Sequence, residues 1–403
     1  MSPPSQPRIV FNRMELAGSL GDLGTLLPIA VGMILVCGIH PTGLFCSVGL
    51  FYVLSGLYYG VTTPVQPMKV IGAYAIATAM TAPQVLAAGL SLGMLLLIVG
   101  ATGLIDGIRR VTPKATVRGV QLSTGALLMA EGVRFMLGTS KLQALRQAAE
   151  PYLTLQQIGP VPLGVIIGAA GFFLTLMLLE NRKLPAGVMV VAAGLVLGLI
   201  FGTREGLAEM RPGLYLPRWM PFSVPEAADF AAVFFAVVLP QLPMTLGNAV
   251  IANADLSREY FGEGSRRVTP RALCITMALA NFGAFLLGGM PLCHGAGGLA
   301  AHYRFGARTA GSNLIIGGAF LALALLLGFH VLAIIYLMPL SVLGILLVFA
   351  GAQLALTILD LDRRKDLFVA LLMLGITLAT NLAAGFLVGI AVALLLRSER
   401  LHV

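Results

Sequence analysis

Long apolar runs follow one another along almost the whole chain of 403 residues. Between Leu23 and Met68 there is no Asp, Glu, Lys or Arg, and between Val70 and Ile105 there is none either. Because about 20 apolar residues of helix cross the hydrocarbon part of a bilayer, each run is long enough to span a membrane. Charged residues make up 11% of the chain, against roughly 25% in soluble proteins. The sequence therefore predicts an all-α membrane protein with many spans.

Clusters of charge and Gly/Pro breaks divide the chain into about fourteen segments. They are 12–37, 42–60, 64–80, 84–105, 114–137, 160–180, 185–202, 227–253, 269–289, 291–303, 309–328, 331–357, 366–380 and 382–397. Most of the 26 lysines and arginines fall on every second connection and near the two termini. The positive-inside rule therefore predicts that these connections and both termini are cytoplasmic. Contact of these loops with anionic lipid accounts for the net charge of +9, so nucleic acid is not expected as a partner.

The third and the tenth segments are short and begin with proline. They read PVQPMKVIGAYAIATAM from Pro64 and PLCHGAGGLAAHY from Pro291, and each follows a helix that ends in glycine. Because seven is an odd number, the second seven segments are expected to be inverted relative to the first seven. Short, interrupted segments at matching places of inverted repeats are the sequence feature that best locates a transporter's binding site.

Each of these segments is expected to form a half-helix that directs unpaired backbone N–H groups towards the membrane centre. A helix amino terminus is equivalent to about half a positive charge, so two of them supply about one. Lys69 adds another, and with Pro67 as the first helical residue it lies in the first turn. This arrangement favours a bound anion. The alternatives are an ion pair of Lys69 with Glu15 or Asp22, or a lysine that extends to the membrane surface.

On the tenth segment, His294, Gly295, Ala296 and Gly297 follow the break directly. Glycine lets a ligand approach the backbone, and consecutive N–H groups form anion-binding nests. These residues are predicted to bind substrate, with close helix packing as the alternative explanation for the glycines. His294 is predicted to donate to substrate or to carry a coupling proton, and a structural histidine is the alternative.

The first segment of each half carries further polar residues. An ionisable residue inside a span is functional by default, so Glu15 and Asp22 are predicted to counter Lys69 or to carry a coupling ion. Residues of the eighth segment recur three or four positions apart and therefore share one helical face. With Gln66, they are predicted to hydrogen-bond the oxygens of a ligand, and polar contact between helices is the alternative. They are Gln241, Thr245 and Asn248.

Four stretches resemble the molybdate transporter family, which is related to the sulfate permeases (SulP). They are ELAGSLGDLGTLLPI, YYGVTTPVQPMKVIGAYAIA, LPQLPMTLGNAVI and GGMPLCHGAGGLAAHYRFGARTAGSN. The resemblance implies a fold of two inverted seven-segment repeats, with substrate held between the broken third and tenth segments. It implies molybdate as substrate, with sulfate and tungstate as neighbours in shape and charge, and it allows a homodimer. It also implies a chain without the STAS domain that usually ends the sulfate permeases.

The resemblance further implies two groups of segments that rock against each other. The core group would comprise 1–110 and 227–328, and the gate group 111–226 and 329–403, which includes a cytoplasmic tail. The protein is expected in the bacterial inner (plasma) membrane.

Other classes of protein fit the sequence less well. ATP-driven transport is disfavoured because no GxxxxGK[ST] loop occurs. An intramembrane enzyme would use His294 with Asp22 or Cys293, but neighbouring residues diverge on a helix, and the chain has no HExxH motif. The protein is therefore expected not to be an enzyme and to need no cofactor or metal. A nucleobase permease would not require Lys69 beside two positive helix ends, whereas an anion channel of the same fold stays open.

Overall fold

The computed structural model describes residues 9–104, 113–179, 181 and 185–397. Some of the basic residues that are predicted to be cytoplasmic lie outside these ranges. They include Arg109, Arg110, Arg182 and Lys183.

The first half of the chain starts with a bent span. Helices α1 (Arg13–Ser19) and α2 (Leu23–Cys37) meet at an angle of 42°. The elements that follow are α3 (Pro41–Tyr59), β1 (Gln66–Pro67), α4 (Lys69–Thr78), α5 (Ala82–Thr102), α6 (Lys114–Leu137), α7 (Lys141–Arg146), β2 (Gln157–Ile158), β3 (Val161–Pro162), α8 (Leu163–Leu178) and α9 (Ala186–Phe201). Strands β2 and β3 form a small antiparallel hairpin.

The second half starts with a long helix whose hydrogen bonding changes along its length. It comprises α10 (Ala227–Val233), π-helical Phe234–Val238, α11 (Leu239–Met244), π-helical Thr245–Ala252 and α12 (Asn253–Phe261). Pro240 lacks an N–H, and in an α-helix its ring would crowd the carbonyl four residues earlier. The wider π-helical turn that precedes Pro240 relieves this crowding. The elements that follow are α13 (Pro270–Leu287), β4 (Leu292–Cys293), α14 (Ala296–Arg304), α15 (Ala310–Leu327), α16 (Val331–Tyr336), α17 (Leu340–Ala355), α18 (Arg364–Ala379) and α19 (Leu382–Leu395).

Several of these helices are long and apolar enough to cross a membrane. Within the described residues there are 6 such helices, or 7 when the bent pair α1 and α2 is taken as one span. The helices α4, α8, α9 and α19 are apolar but shorter. Each of the fourteen predicted segments contains helix. The chain is thus a helical membrane protein, and the count of fourteen spans stays a prediction.

Helices from the two halves pack in reciprocal pairs. Helix α3 packs against α15, α5 packs against α13, and α6 packs against α17. In a two-fold repeat of seven segments, a contact of the second with the eleventh maps onto a contact of the fourth with the ninth. A contact of the fifth with the twelfth maps onto itself. The three observed pairs join the first half of the chain to the second, and the two-fold repeat itself stays a prediction.

Glycines bring α6 and α17 into backbone contact. A Cβ added to Gly125 would lie 2.5 Å from the carbonyl oxygen of Gly351, and a Cβ added to Gly351 would lie 2.5 Å from that of Gly125. Small residues allow this close approach of helices in membranes, where van der Waals packing contributes much of the stability. These two helices form a wall of the cavity described below.

Candidate functional site

The two broken segments meet in the interior of the protein. Helices α3 and α13 end at Gly60 and Gly288, whose φ angles of +77° and +69° are left-handed conformations that glycine adopts without strain. The chain then runs extended, and β1 pairs antiparallel with β4 so that Gln66 lies opposite Cys293. The backbone N–H of Met68 donates to the carbonyl of Pro291 at 2.9 Å. Each extended segment thus supplies hydrogen-bond partners for the other in the buried interior of the protein.

Two half-helices leave this junction. Helix α4 begins at Lys69 and α14 begins at Ala296. The prediction that Pro67 begins the first half-helix is wrong, because Pro67 belongs to β1 and Met68 is still extended. Lys69 is therefore the first helical residue, where the positive helix end repels a cation.

The first turn of α4 is capped by a side chain from another helix. Gln241 accepts hydrogen bonds at its Oε1 from Val70 N at 2.8 Å and from Ile71 N at 3.2 Å. Its Nε2 donates to Thr245 Oγ1 at 2.9 Å. Gln241 and Thr245 share one face, as the sequence predicts, but their polar groups bond to protein. In the structure Gln241 caps the start of α4, and its contact with a ligand stays a prediction.

Asn248 does not follow the spacing assumed for it. It lies in the π-helical segment Thr245–Ala252, where each residue turns through a smaller angle than in an α-helix. Asn248 is partly exposed, whereas Thr245 is buried. The predicted common face therefore ends at Thr245.

Asp22 and Gln66 lie together against the start of α14. Gln66 Nε2 donates to Asp22 Oδ1 at 2.8 Å, and both side chains are buried. A Cβ added to Gly298 would lie 2.5 Å from Asp22 Oδ2, and one added to Gly295 would overlap Gln66 Oε1. Asp22 Oδ2 and Gln66 Oε1 have no hydrogen-bond partner among the described residues. The structure thus brings Asp22, Gln66 and the glycine cluster together and leaves two buried acceptor oxygens unpartnered.

The first turn of α14 has open space on one side. Its N-cap residue, Gly295, has no side chain that could bond to the free N–H groups. Gly297 is exposed, and no heavy atom of the described chain lies within 4 Å of a Cβ built on it. Gly295, Ala296 and Gly297 therefore form a helix start that a ligand could approach on the side of Gly297.

His294 is held by protein partners on both ring nitrogens. Its Nδ1 lies 2.8 Å from the carbonyl oxygen of Pro64, and its Nε2 lies 3.3 Å from Thr276 Oγ1. The ring is fully buried and lies 4.5 Å from the ring of Phe51, measured between centroids. In the structure the hydrogen bonds of His294 fix the segment that leads into β1, and its donation to a substrate stays a prediction.

Glu15 also has a structural position. Its Oε1 accepts from the backbone N–H groups of Arg308 at 3.0 Å and Thr309 at 2.9 Å, and its Oε2 accepts from Ser312 N at 3.2 Å. A carboxylate at the start of α15 is favourable because the helix end is positive. The predicted pairing of Glu15 with Lys69 is corrected to capping of α15.

Lys69 faces a cavity of about 190 Å³. Its side chain is half-buried, and within the described ranges no carboxylate oxygen lies within 4 Å of its Nζ and no hydrogen bond to it is formed. The alternative of an ion pair with Glu15 or Asp22 is therefore not what the structure contains. Lys69 brings a positive charge to the cavity without an internal counter-ion in contact.

The cavity lies between α2 and α4 on one side and α6, α8, α9 and α17 on the other. Its wall is mostly apolar, with polar side chains from Thr25, Lys69, Thr175 and Gln353. Of these, Lys69 was predicted from the sequence to contact an anion. Gln353 is an isolated polar residue in an apolar segment, which is a weak signal in the sequence. The cavity that it shares with Lys69 forms only when the two halves of the chain pack together. Thr25 gave no signal of its own.

Comparison with known proteins agrees with this architecture. A family model described as "Molybdate transporter of MFS superfamily" matches residues 14–128 and 233–354, which is more than half of the chain. Molybdate transporter 2 of Arabidopsis thaliana is 30% identical over 416 residues, covering 96% of this chain and 88% of that protein. Molybdate transporter 1 of Chlamydomonas reinhardtii is 30% identical over 470 residues, covering 93% of this chain and 90% of that protein.

Solved structures share the fold. The transmembrane domain of the cyanobacterial bicarbonate transporter BicA has a TM-score of 0.66, with 15% identity, over 94% of this chain and 97% of that chain. SLC26A9 has a TM-score of 0.62, with 15% identity, over 95% of this chain and 65% of that chain. At such identity the similarity shows the fold alone, whereas the family model and the relatives show the family. The chain belongs to the molybdate transporter family, whose members are transporters and not enzymes.

Proposed function

We propose that the protein is a secondary transporter of molybdate, or of a tetrahedral oxyanion close to it such as sulfate or tungstate. Two inverted seven-segment repeats would form a core group (1–110 and 227–328) and a gate group (111–226 and 329–403) that expose the site alternately to each side. The observation that carries the proposal is Lys69, a cation at the start of a half-helix that faces a cavity.

The electrostatics of the site favour an anion. The positive end of α4 raises the free energy of the Lys69 ammonium, and the described chain places no carboxylate oxygen in contact with it. A bound anion offsets this repulsion. The second half-helix, α14, starts without a side-chain cap and adds a second positive end at the same junction. We infer that substrate lies near Lys69 and the open side of Gly297.

The cavity has the size of a small hydrated ion. Its volume of about 190 Å³ leaves room for several water molecules. Pockets for larger organic ligands usually span about 300–1,000 Å³. A tetrahedral oxyanion with a few waters fits, which supports an inorganic anion over a nucleobase.

Proton coupling through Asp22 is the second part of the proposal. Asp22 is buried beside Gln66, and its Oδ2 has no hydrogen-bond partner in the ranges that the structure covers. Protonation of this oxygen would neutralise a buried charge when substrate brings negative charge to the same junction. Asp22, rather than His294 or Glu15, is therefore the group that we propose to carry a proton during symport.

Orientation follows from the cavity and the basic connections. Leu179 and Ala186 line the cavity and flank a connection that the positive-inside rule predicts to be cytoplasmic. We infer that the cavity opens towards the cytoplasm and that both termini lie on that side of a bacterial inner membrane.

The test is calorimetric binding of molybdate and sulfate to the purified protein and to Lys69→Ala. Loss of a charged hydrogen bond lowers affinity by about tenfold or more, so we expect the variant to bind molybdate at least about tenfold more weakly. Lys141→Ala is the matched control, because Lys141 is exposed and donates to Thr78 O at 3.2 Å, away from the cavity. Equal affinity in Lys69→Ala and in the wild-type protein would contradict the assigned role of Lys69.

A further inference from the structure

A second polar residue, Gln353, lines the cavity that Lys69 faces. Lys69 belongs to α4 in the proposed core group, and Gln353 belongs to α17 in the proposed gate group. We propose that Gln353 is a substrate-binding residue, so that one oxyanion is held from both sides of the boundary between the two groups. This inference rests on the proposed function and adds a residue that determines specificity.

The carboxamide of Gln353 is available for a ligand. Its side chain lines the cavity and is exposed, and it makes no hydrogen bond to any residue that the structure describes. Thr175 lines the same cavity, but its Oγ1 is buried and donates to Gly171 O of its own helix at 2.7 Å. The Gln353 amide N–H groups are therefore free to donate to a ligand, whereas the Thr175 hydroxyl already donates to its own helix.

The boundary at the cavity is narrow. A Cβ added to Gly187 of α9 would lie 2.5 Å from the Cα of Gly24 of α2, so the two backbones are already in contact beside the cavity. Gly24 and Gly187 also line the cavity themselves. A ligand held by Lys69 therefore lies close to the helices of the gate group and not in a wide vestibule.

The pair of groups selects a particular class of ligand. Lys69 supplies charge and N–H donors, and the neutral amide of Gln353 supplies two further N–H donors without a charge. A tetrahedral oxyanion has four oxygens that point in different directions, so it can accept from both residues at once. A halide offers no separate oxygens, and a cation is repelled by Lys69. The site thus recognises the number and direction of oxygens as well as the charge.

Binding from both sides also connects occupancy with movement. An oxyanion that bonds to Lys69 and Gln353 together links α4 to α17, and a ligand of this kind stabilises the arrangement in which the two residues face each other. Removal of the Gln353 amide would leave the interaction of the anion with Lys69 intact. It would weaken only the connection between α4 and α17 that the bound anion makes.

Three substitutions at Gln353 test the inference by calorimetry with molybdate. Gln353→Leu removes the donors and is expected to weaken binding by about tenfold. Gln353→Glu puts a carboxylate opposite the substrate and is expected to abolish measurable binding. Gln353→Asn keeps the amide and is expected to lie between the wild-type protein and Gln353→Leu. Thr175→Val is the matched control, and it is expected to bind as the wild-type protein does.

The outcomes separate the two proposals. Binding that is unchanged in Gln353→Leu and Gln353→Glu, while Lys69→Ala loses it, would overturn the role of Gln353 and leave the proposed function standing. Equal weakening in Thr175→Val and Gln353→Leu would also overturn it, because the effect would then come from disturbance of the cavity wall. A wild-type protein that binds no oxyanion would overturn both proposals. The expected order of affinities, with Gln353→Glu weakest, would support the inference.

Discussion

Replacement of Gln241 by leucine is expected to destabilise the protein through the start of α4. The Oε1 of Gln241 is the acceptor for Val70 N at 2.8 Å and Ile71 N at 3.2 Å, and Gln241 is buried. Leucine leaves both N–H groups without this acceptor. A buried unsatisfied donor costs roughly 1–3 kcal/mol, and the second bond is the longer one, so we expect a loss of about 2–4 kcal/mol. This is a large part of the roughly 5–15 kcal/mol that holds a typical protein folded.

Replacement of Gln241 by glutamate separates capping from binding. The carboxylate keeps an acceptor at the positive helix end, an interaction of about 0.3–2 kcal/mol, and its second oxygen can accept from the Thr245 hydroxyl in place of the amide donation. Stability should therefore stay near that of the wild-type protein. The new negative charge lies next to Lys69, which it neutralises in part, so molybdate affinity should fall by roughly tenfold or more.

The assay combines thermal unfolding in detergent with calorimetric titration of molybdate. Thr245→Val is the control, since it removes the acceptor of Gln241 Nε2 and leaves the cap of α4 in place. A melting temperature of Gln241→Leu equal to that of the wild-type protein would refute the capping role. If molybdate affinity is unchanged in Gln241→Glu, the substrate does not interact electrostatically with the start of α4.

Two further predictions concern the junction of the broken segments. Gly298→Ala would place a Cβ 2.5 Å from Asp22 Oδ2, so it is expected to destabilise the protein by roughly 1–3 kcal/mol and to weaken binding, whereas Gly297→Ala, which meets open space, should melt like the wild-type protein. Equal melting temperatures of the two variants would contradict the close packing. Asp22→Asn is expected to make molybdate uptake independent of pH if Asp22 carries the coupling proton. Uptake into proteoliposomes that keeps the wild-type pH dependence in this variant would exclude Asp22 from coupling.

The breaks in the chain could be predicted from sequence because they depend on local chemistry. Proline cannot continue a helix, and glycine ends one, so the extended segments at Pro64 and Pro291 are encoded within a few residues. Lys69 was identifiable for a similar reason, since a lone cation between two long uncharged runs needs an explanation. Its contact with a cavity follows from that position.

The roles of the polar side chains could not be predicted because they depend on distant partners. The amide oxygen of Gln241 could accept from a ligand or from backbone N–H groups of another helix. The sequence does not show which N–H groups lie beside it. The same holds for His294, whose partner is the carbonyl of Pro64, 230 residues away in sequence. Gln353 was missed because only the folded chain brings residues of α17 and α4 to the same cavity. The register of Asn248 failed because a π-helical segment replaced the assumed α-helix.

The pairing of β1 with β4 has a consequence for how the protein is made. The partners are far apart in the chain, and Pro67 and Cys293 are separated by 226 residues. At synthesis rates of about 5–20 residues per second, β1 leaves the ribosome roughly 10–45 s before β4 exists. During that interval the extended segment before α4 must keep its backbone groups hydrated or held by the insertion machinery, since lipid cannot satisfy them. The centre of this transporter is therefore the part of the molecule that is completed late in biogenesis.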